Sequence, residues 1–187
     1  MPTPAKTSRS GIIDAARELI AGNGVDSLTM QAVADRVGVR GPSLYKHFAD
    51  RAALLSAIEQ TVVADLKNVI VAAAASRDDQ NVLRAMAKAY RRFARESPAA
   101  YSLLFSLQSP DQESIAARLS ALKPVLDRLE SYLGEHNLAF VRARVLTAFL
   151  HGFVSMETSG AFRLGGNIDD AFSMGLDILL ARPSTQM

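Results

Sequence analysis

The sequence predicts an all-α protein of about nine helices, with three helices in its N-terminal part and longer helices after them. Apolar residues recur at helical spacing from one end of the 187-residue chain to the other. No segment alternates apolar and polar residues for long enough to suggest a strand. Because 49% of the residues are hydrophobic and 21% are charged, we expect a folded protein with a sizeable core.

The limits of the N-terminal helices can be predicted from residues that typically begin or end a helix. Apolar residues from Ile12 to Ile20 mark a first helix, which Gly24 helps to end. Thr29 can cap a short second helix that stops at Gly38. Further along, Pro42 starts a third short helix through Leu44, Tyr45 and Phe48, and Asp50 caps a long fourth helix that reaches about Ser76.

The remaining helices are longer. Ser97 and Pro98 end a helix that opens at Asp78 or Asp79, and a buried helical segment covers 101–107. Ser109 and Pro110 begin a helix in which Pro124 introduces a kink. Two last helices are predicted, separated by a glycine-containing loop, over about 140–159 and 167–181.

Composition excludes several classes of function. The chain has no cysteine, which excludes disulfides, thiolate metal sites and cysteine nucleophiles and fits a cytoplasmic location. Its three histidines, His47, His136 and His151, are scattered, so we predict no metal site, no cofactor and no enzyme. The longest uncharged stretches, 97–110 and 145–156, are shorter than the roughly 20 residues of a membrane span. We therefore expect no membrane partner.

The two short helices around Gly38 are the feature with a specific mechanism. Two short helices joined by a tight turn that contains glycine form a helix-turn-helix, whose second helix can enter the DNA major groove. Residues 1–51 hold seven basic and five acidic side chains, whereas the charges of residues 52–187 balance. The small positive surplus of the chain therefore lies where DNA would bind.

Three consecutive segments carry a family resemblance: Thr29–Gly38 (TMQAVADRVG), Val39–Phe48 (VRGPSLYKHF) and Asp50–Leu55 (DRAALL). Together they resemble the DNA-binding segment of the TetR family of bacterial transcriptional regulators. The resemblance implies an N-terminal arm and helix-turn-helix DNA-binding domain over residues 1–51. It also implies a helical effector-binding and dimerisation domain over residues 52–187.

The resemblance implies roles for ten residues on double-stranded DNA. Phosphate contacts would come from Thr29, Tyr45, His47 and Arg51. Pro42 and Ser43 would lie near base edges or the sugar-phosphate wall, and Gly41 belongs to the same DNA-binding set. Gln31, Arg40 and Lys46 are long enough to read bases, since glutamine can pair with adenine and arginine or lysine with guanine. The alternatives are internal packing for Tyr45 and His47, and simple solvation for Arg40.

The second domain carries a local resemblance and a predicted effector pocket. Leu150-His151-Gly152-Phe153 is similar to the TetR subgroup named for a Trp-His-Gly motif, although this chain has no tryptophan. The family resemblance implies an apolar pocket, for which the candidate residues are Met86, Tyr90, Phe93, Tyr101, Phe105, Leu122, Leu126, Leu146, Phe149 and His151. His151 would either anchor a ligand or be a satisfied core histidine.

The last two helices are candidates for a homodimer interface. Glycines on an apolar stripe permit close approach of helices, which suits a symmetric interface between two subunits. The candidate residues are Val145, Gly152, Phe153, Phe172, Gly175, Leu176 and Leu179. The alternative is ordinary packing within one chain.

The leading functional hypothesis is a homodimeric repressor that binds a palindromic operator and is released by a small, largely apolar effector. The long helix from Asp50 would couple the two domains. One alternative is a helical small-molecule-binding protein or enzyme with an incidental basic segment. Another is a DNA-binding protein without an effector.

Overall fold

A computed structural model describes residues 8–74, 79–106 and 112–182 of the chain. Across these ranges the ordered elements are α-helices and one short 3-10 turn, Val25–Ser27, with no strand. The helices are α1 (Arg9–Asn23), α2 (Met30–Val37), α3 (Gly41–Tyr45), α4 (Arg51–Ala72), α5 (Asp79–Glu96), α6 (Pro98–Ser106), α7 (Gln112–Leu133), α8 (His136–Thr158) and α9 (Ile168–Leu180). The predicted all-α class is confirmed.

Two predicted helix starts rest on side-chain caps that the structure contains. The Asp50 carboxylate accepts a hydrogen bond of 2.8 Å from the amide of Ala53 in the first turn of α4. The side chain of Asn167 accepts one of 2.8 Å from the amide of Asp169 at the start of α9. Because the first amides of a helix lack partners within it, these caps fix where both helices begin.

Some helix ends differ from the predicted ones. Helix α3 ends at Tyr45, so Phe48 packs in the core from the connection between α3 and α4 instead of from the helix. Helix α8 begins at His136, four residues before the predicted start, because polar residues can extend a helix beyond its apolar stripe. Helix α4 ends at Ala72, earlier than the predicted end near Ser76. The predicted helix end at Leu107 and the predicted start at Ser109 lie outside the described residues.

The chain divides into two compact units. The first unit comprises the described residues up to Asp65 and those between Ser97 and Arg118. In it, α1 packs against α2, the 3-10 turn and α6, and α2 packs against α3. This division does not follow the predicted domain boundary between residues 51 and 52, because α6 and the first turns of α7 belong to the same unit as the helix-turn-helix. The predicted division of DNA binding and effector binding between residues 1–51 and 52–187 stays a prediction.

The second unit comprises Leu66–Glu96 and the residues from Leu119 onward. Helix α5 packs against both α8 and α9, and α8 packs against α9. The core of this unit contains Leu83, Phe93, Leu146 and Phe172, all buried. Helices α4 and α7 each contribute residues to both units.

By length and composition alone, helix α8 is long and apolar enough to cross a membrane. The uncharged stretches of the sequence do not identify it, because α8 contains charged residues toward its two ends. About a quarter of its most apolar window is buried within the chain, at 28%. Core helices of soluble proteins can have the same length and composition. The exposed apolar side chains of α8 are therefore a feature that the function has to explain.

Candidate functional site

Helices α2 and α3 meet at a turn that only glycine adopts without strain. Gly38 has φ 75° and ψ 36°, in the left-handed region. The amide of Val39 then donates to the carbonyl of Ala34 over 3.0 Å, which ends α2 and turns the chain toward α3. Ala34 and Leu44 are fully buried, so each short helix is held by its apolar side and presents its polar side outward.

The start of α2 is fixed by Thr29. Its hydroxyl oxygen accepts a hydrogen bond of 3.0 Å from the amide of Ala32, so this side chain serves as the N-cap of α2. Gln31 donates to Asp35 over 2.7 Å on the same helix. Both residues stay exposed, and a phosphate contact by Thr29 or base reading by Gln31 would be added to these contacts or replace them.

The face of α3 that points away from the core is polar and exposed. Pro42, Ser43 and Lys46 are exposed, and Tyr45 exposes 54% of its surface although it is aromatic. Gly41 and His47 are partly buried. A helix of five residues with an exposed tyrosine contributes little to the core, which favours a role in contact with a partner.

Two cations on this surface are available for a partner. Within the described residues, the side chains of Arg40 and Lys46 make no hydrogen bond or ion pair, and both are exposed. Arg40 stands at the N-cap of α3 and Lys46 directly follows its last residue. They lie at the two ends of the same short helix and can therefore contact the same stretch of DNA groove.

Two other arginines have internal partners. Arg51 donates from Nε to the carbonyl of Leu28 over 2.6 Å and from Nη2 to the carbonyl of Val25 over 2.9 Å. Arg9 donates to the carbonyl of His47 over 2.9 Å, and its guanidinium lies 4.4 Å from the centre of the Phe48 ring. The sequence predicts a phosphate contact for Arg51 and contains no signal for these main-chain partners.

The predicted effector-pocket residues are distributed over both units. Tyr101 and Phe105 lie in the first unit, where Tyr101 is buried and Phe105 is 45% exposed. The other eight belong to the second unit. Of these, Met86, Tyr90, Phe93 and Leu146 are core residues, whereas Leu122, Leu126, Phe149 and His151 are partly buried.

A cleft of about 450 Å³ opens in the second unit. Met86 is the member of the predicted set that lines it, together with Val71, Pro124 and the cations Lys67, Lys123 and Arg128. Sequence periodicity cannot separate a cleft-lining side chain from a core side chain, which is why most predicted members lie elsewhere. The cleft combines apolar and charged walls and is large enough for a small organic molecule.

Burial lowers the pKa of His151 from its ordinary value of 6.5. The unfolded chain therefore binds a proton at His151 more readily than the folded chain does. The contribution of His151 to the free energy of unfolding should be constant above about pH 6.5, and the free energy should fall as the pH drops below that value. We expect His151→Gln to reduce this fall, as measured by urea unfolding at about pH 7.5 and about pH 5.5. An equal pH difference in both proteins would contradict this prediction.

Several predicted dimer-interface residues pack inside the chain instead. Phe172 and Leu176 are 1% exposed, so their side chains belong to the core of the second unit and cannot form an outer surface. A Cβ atom at Gly175 would lie 2.4 Å from the Phe149 ring, so this glycine permits a close contact between α8 and α9 of one chain. Phe153 is partly buried and its ring centre lies 5.1 Å from that of Phe172. For Phe172 and Leu176, burial favours the alternative of packing within one chain, whereas a part for Gly175 and Phe153 in a dimer interface stays a prediction.

An exposed apolar face nevertheless lies on α8 and α9. Val145 and Gly152 are exposed on α8, and Leu179 is partly buried on α9. Val141 on α8, which belongs to the same apolar stripe of the sequence, is exposed as well, and two further exposed members that the sequence did not indicate are Met174 and Ile178 on α9. Their helical spacing could have identified them, since 141, 145 and 152, and likewise 174 and 178, share one face of their helix.

Comparisons with known proteins agree with both parts of the chain. Residues 12–58 match the family model described as bacterial regulatory proteins, tetR family. Residues 83–179 match the one described as tetracyclin repressor-like, C-terminal domain. An uncharacterised HTH-type transcriptional regulator of Mycobacterium tuberculosis is 36% identical over 159 residues, covering 84% of this chain and 73% of its own.

Two further proteins are similar over different extents. The class D tetracycline repressor of Escherichia coli is 35% identical over 88 residues, which cover 47% of this chain and 40% of the repressor. The crystal structure of a TetR variant from Acinetobacter baumannii AYE in complex with minocycline has a TM-score of 0.70 at 24% identity. It covers 92% of this chain and 94% of that one, and it shows a common fold. On the two family matches and the mycobacterial relative, this chain belongs to the TetR family of transcriptional regulators, with a helix-turn-helix DNA-binding domain and a C-terminal ligand-binding domain.

Proposed function

We propose that this protein is a ligand-responsive repressor that binds a palindromic operator as a homodimer and is released by a small, largely apolar effector. The observation that carries the DNA-binding part is the outward face of α3, where Tyr45 is exposed and the side chains of Arg40 and Lys46 have no partner among the described residues. Cations held at both ends of a short helix can reach phosphates and guanine edges in one groove.

Repression and effector release are supported by the relatives. The class D relative is named a tetracycline repressor, and the Acinetobacter structure of similar fold is that of a TetR variant in complex with minocycline. In this chain, we propose the cleft beside Met86 and Val71 as the place where an effector is held. An effector that binds one conformer of the regulator better than another shifts the population and so lowers operator affinity.

The exposed face of α8 and α9 supports dimerisation. Val141, Val145, Met174 and Ile178 expose between 45% and 67% of their surface, although all four are apolar. Large exposed apolar patches of this kind mark protein interfaces. A second copy of this chain is the proposed partner, because a single short α3 reads few base pairs and a two-fold pair doubles the contacts.

Selection of bound sequences from random duplex DNA, at near-physiological salt, tests the proposal. An enriched palindrome with half-sites about one helical turn apart is expected for the homodimer. Enrichment of a single half-site would contradict the dimer. Failure to enrich any sequence, also after unfolding and refolding to remove a bound ligand, would contradict DNA binding itself.

Lys46→Gln should weaken binding to the enriched palindrome by about tenfold and relax the preference at one base pair of each half-site. The reason is that glutamine cannot supply the positive charge which Lys46 holds without an internal partner. Fluorescence anisotropy of labelled duplex measures the affinity. Lys88→Gln is the matched control, since Lys88 is an exposed lysine on α5 and should leave affinity within about twofold. Equal losses in both variants would contradict the prediction.

A further inference from the structure

Arg51, the first residue of α4, contacts the main chain that leads into α2. Its guanidinium holds the carbonyls of Val25 and Leu28 at 2.9 and 2.6 Å. Val25 opens the 3-10 turn between α1 and α2, and Leu28 directly precedes the N-cap residue Thr29. One planar side chain therefore joins two points of the α1–α2 connection to the start of α4.

The Leu28 carbonyl depends on this contact. Among the described residues, no backbone amide donates to it. The side chain of Leu28 is fully buried. Leu28 is thus held by its side chain in the core and by its carbonyl on Arg51, immediately before α2 begins.

The opposite end of the helix-turn-helix is held in a similar way. Arg9 donates to the carbonyl of His47, just beyond α3, and its guanidinium lies over the Phe48 ring. The two arginines thus contact main-chain carbonyls before α2 and after α3. Both are basic residues that a count of charges would assign to the DNA.

We propose that Arg51 is a positioning residue that sets α2 and α3 against the start of α4 through the carbonyls of Val25 and Leu28, and not a phosphate contact. This inference rests on the proposed DNA binding. The fork of an arginine can donate to two carbonyls at once, as Arg51 does. A lysine ammonium is a point charge that would suit a phosphate equally well but cannot reproduce the fork. A displacement of the first turn of α4 would accordingly move the α1–α2 connection with it.

Arg51→Lys and Arg51→Gln separate the two roles. The enriched palindrome, non-specific duplex and a salt series are each measured for wild type and both variants. If Arg51 positions the helices, both variants should lose about tenfold in specific affinity, with unchanged non-specific affinity and an unchanged slope of log K against log salt. Arg36→Lys is the matched control, because Arg36 is an exposed arginine that pairs with the Glu18 carboxylate, and it should stay within about twofold.

Three results would overturn the inference. The first is wild-type affinity in Arg51→Lys, which a phosphate contact predicts. The second is a salt slope reduced by about one in Arg51→Gln. The third is a fall in thermal stability large enough to leave the variants partly unfolded at the assay temperature, which would make Arg51 a residue of general stability. If wild type enriches no palindrome, the proposed function fails first and independently of these variants.

Discussion

Arg91→Leu should lower the free energy of unfolding by about 3 kcal/mol, the largest stability effect that we expect from one substitution. Arg91 lies on α5 and donates to the two carboxylate oxygens of Glu157 on α8 over 2.7 and 2.6 Å. It also pairs with Asp169 on α9 over 2.7 Å, and its guanidinium lies 4.6 Å from the centre of the Phe172 ring. The side chains of Arg91 and Glu157 expose only 10% and 12% of their surface.

The loss follows from the burial of the remaining partner. Without Arg91, the Glu157 carboxylate stays in a nearly dry site whose other cation, Arg95, is 3.7 Å away and largely exposed. An unpaired buried charge is costly, whereas apolar side chains in place of both partners are often tolerated. The double variant Arg91→Leu with Glu157→Leu should therefore recover part of the lost stability.

Urea unfolding followed by circular dichroism, at one fixed subunit concentration, measures these effects. The matched control is Arg92→Leu, because Arg92 is the next residue of α5 and is exposed. Its substitution should change stability by no more than about 0.5 kcal/mol. Equal effects of the Arg91 and Arg92 substitutions would contradict the buried network as a source of stability.

Val145→Asp combined with Ile178→Asp should convert the proposed dimer to monomers and reduce operator affinity by on the order of 100-fold. These side chains are 45% and 67% exposed on the apolar face of α8 and α9, so each subunit can fold without them in contact. In a symmetric interface every introduced carboxylate appears twice, and its desolvation opposes association. A monomer then presents one α3 to one half-site.

Analytical ultracentrifugation and operator titration measure the two consequences on the same samples. Leu119→Asp is the control, because Leu119 is an equally apolar residue, 60% exposed on α7 outside that face. We expect it to leave both assembly and operator affinity unchanged. A double variant that remains dimeric would locate the interface elsewhere, and a monomeric variant with full operator affinity would contradict binding by a two-fold pair.

Local signals were sufficient for the helical elements and for the helix-turn-helix. Apolar periodicity and caps such as Asp50 and Asn167 act within a few residues, so their effects can be inferred before the fold is known. The same holds for Gly38, whose left-handed turn is a property of the glycine itself. These features led to the all-α class and to the family, which the comparisons confirm.

Tertiary structure decided which side chains are available to partners. Arg51 lies 26 residues from Val25 in the chain, so no local pattern indicates that its guanidinium donates to main-chain carbonyls. The sequence predicts Gly175 at a contact between subunits, and only the structure shows that its small size accommodates Phe149 of the same chain. Arg91 joins three helices through residues as much as 78 positions apart. Periodicity identifies the apolar face of a helix, but only packing between distant segments determines whether a side chain on that face meets its own core or remains exposed for another molecule.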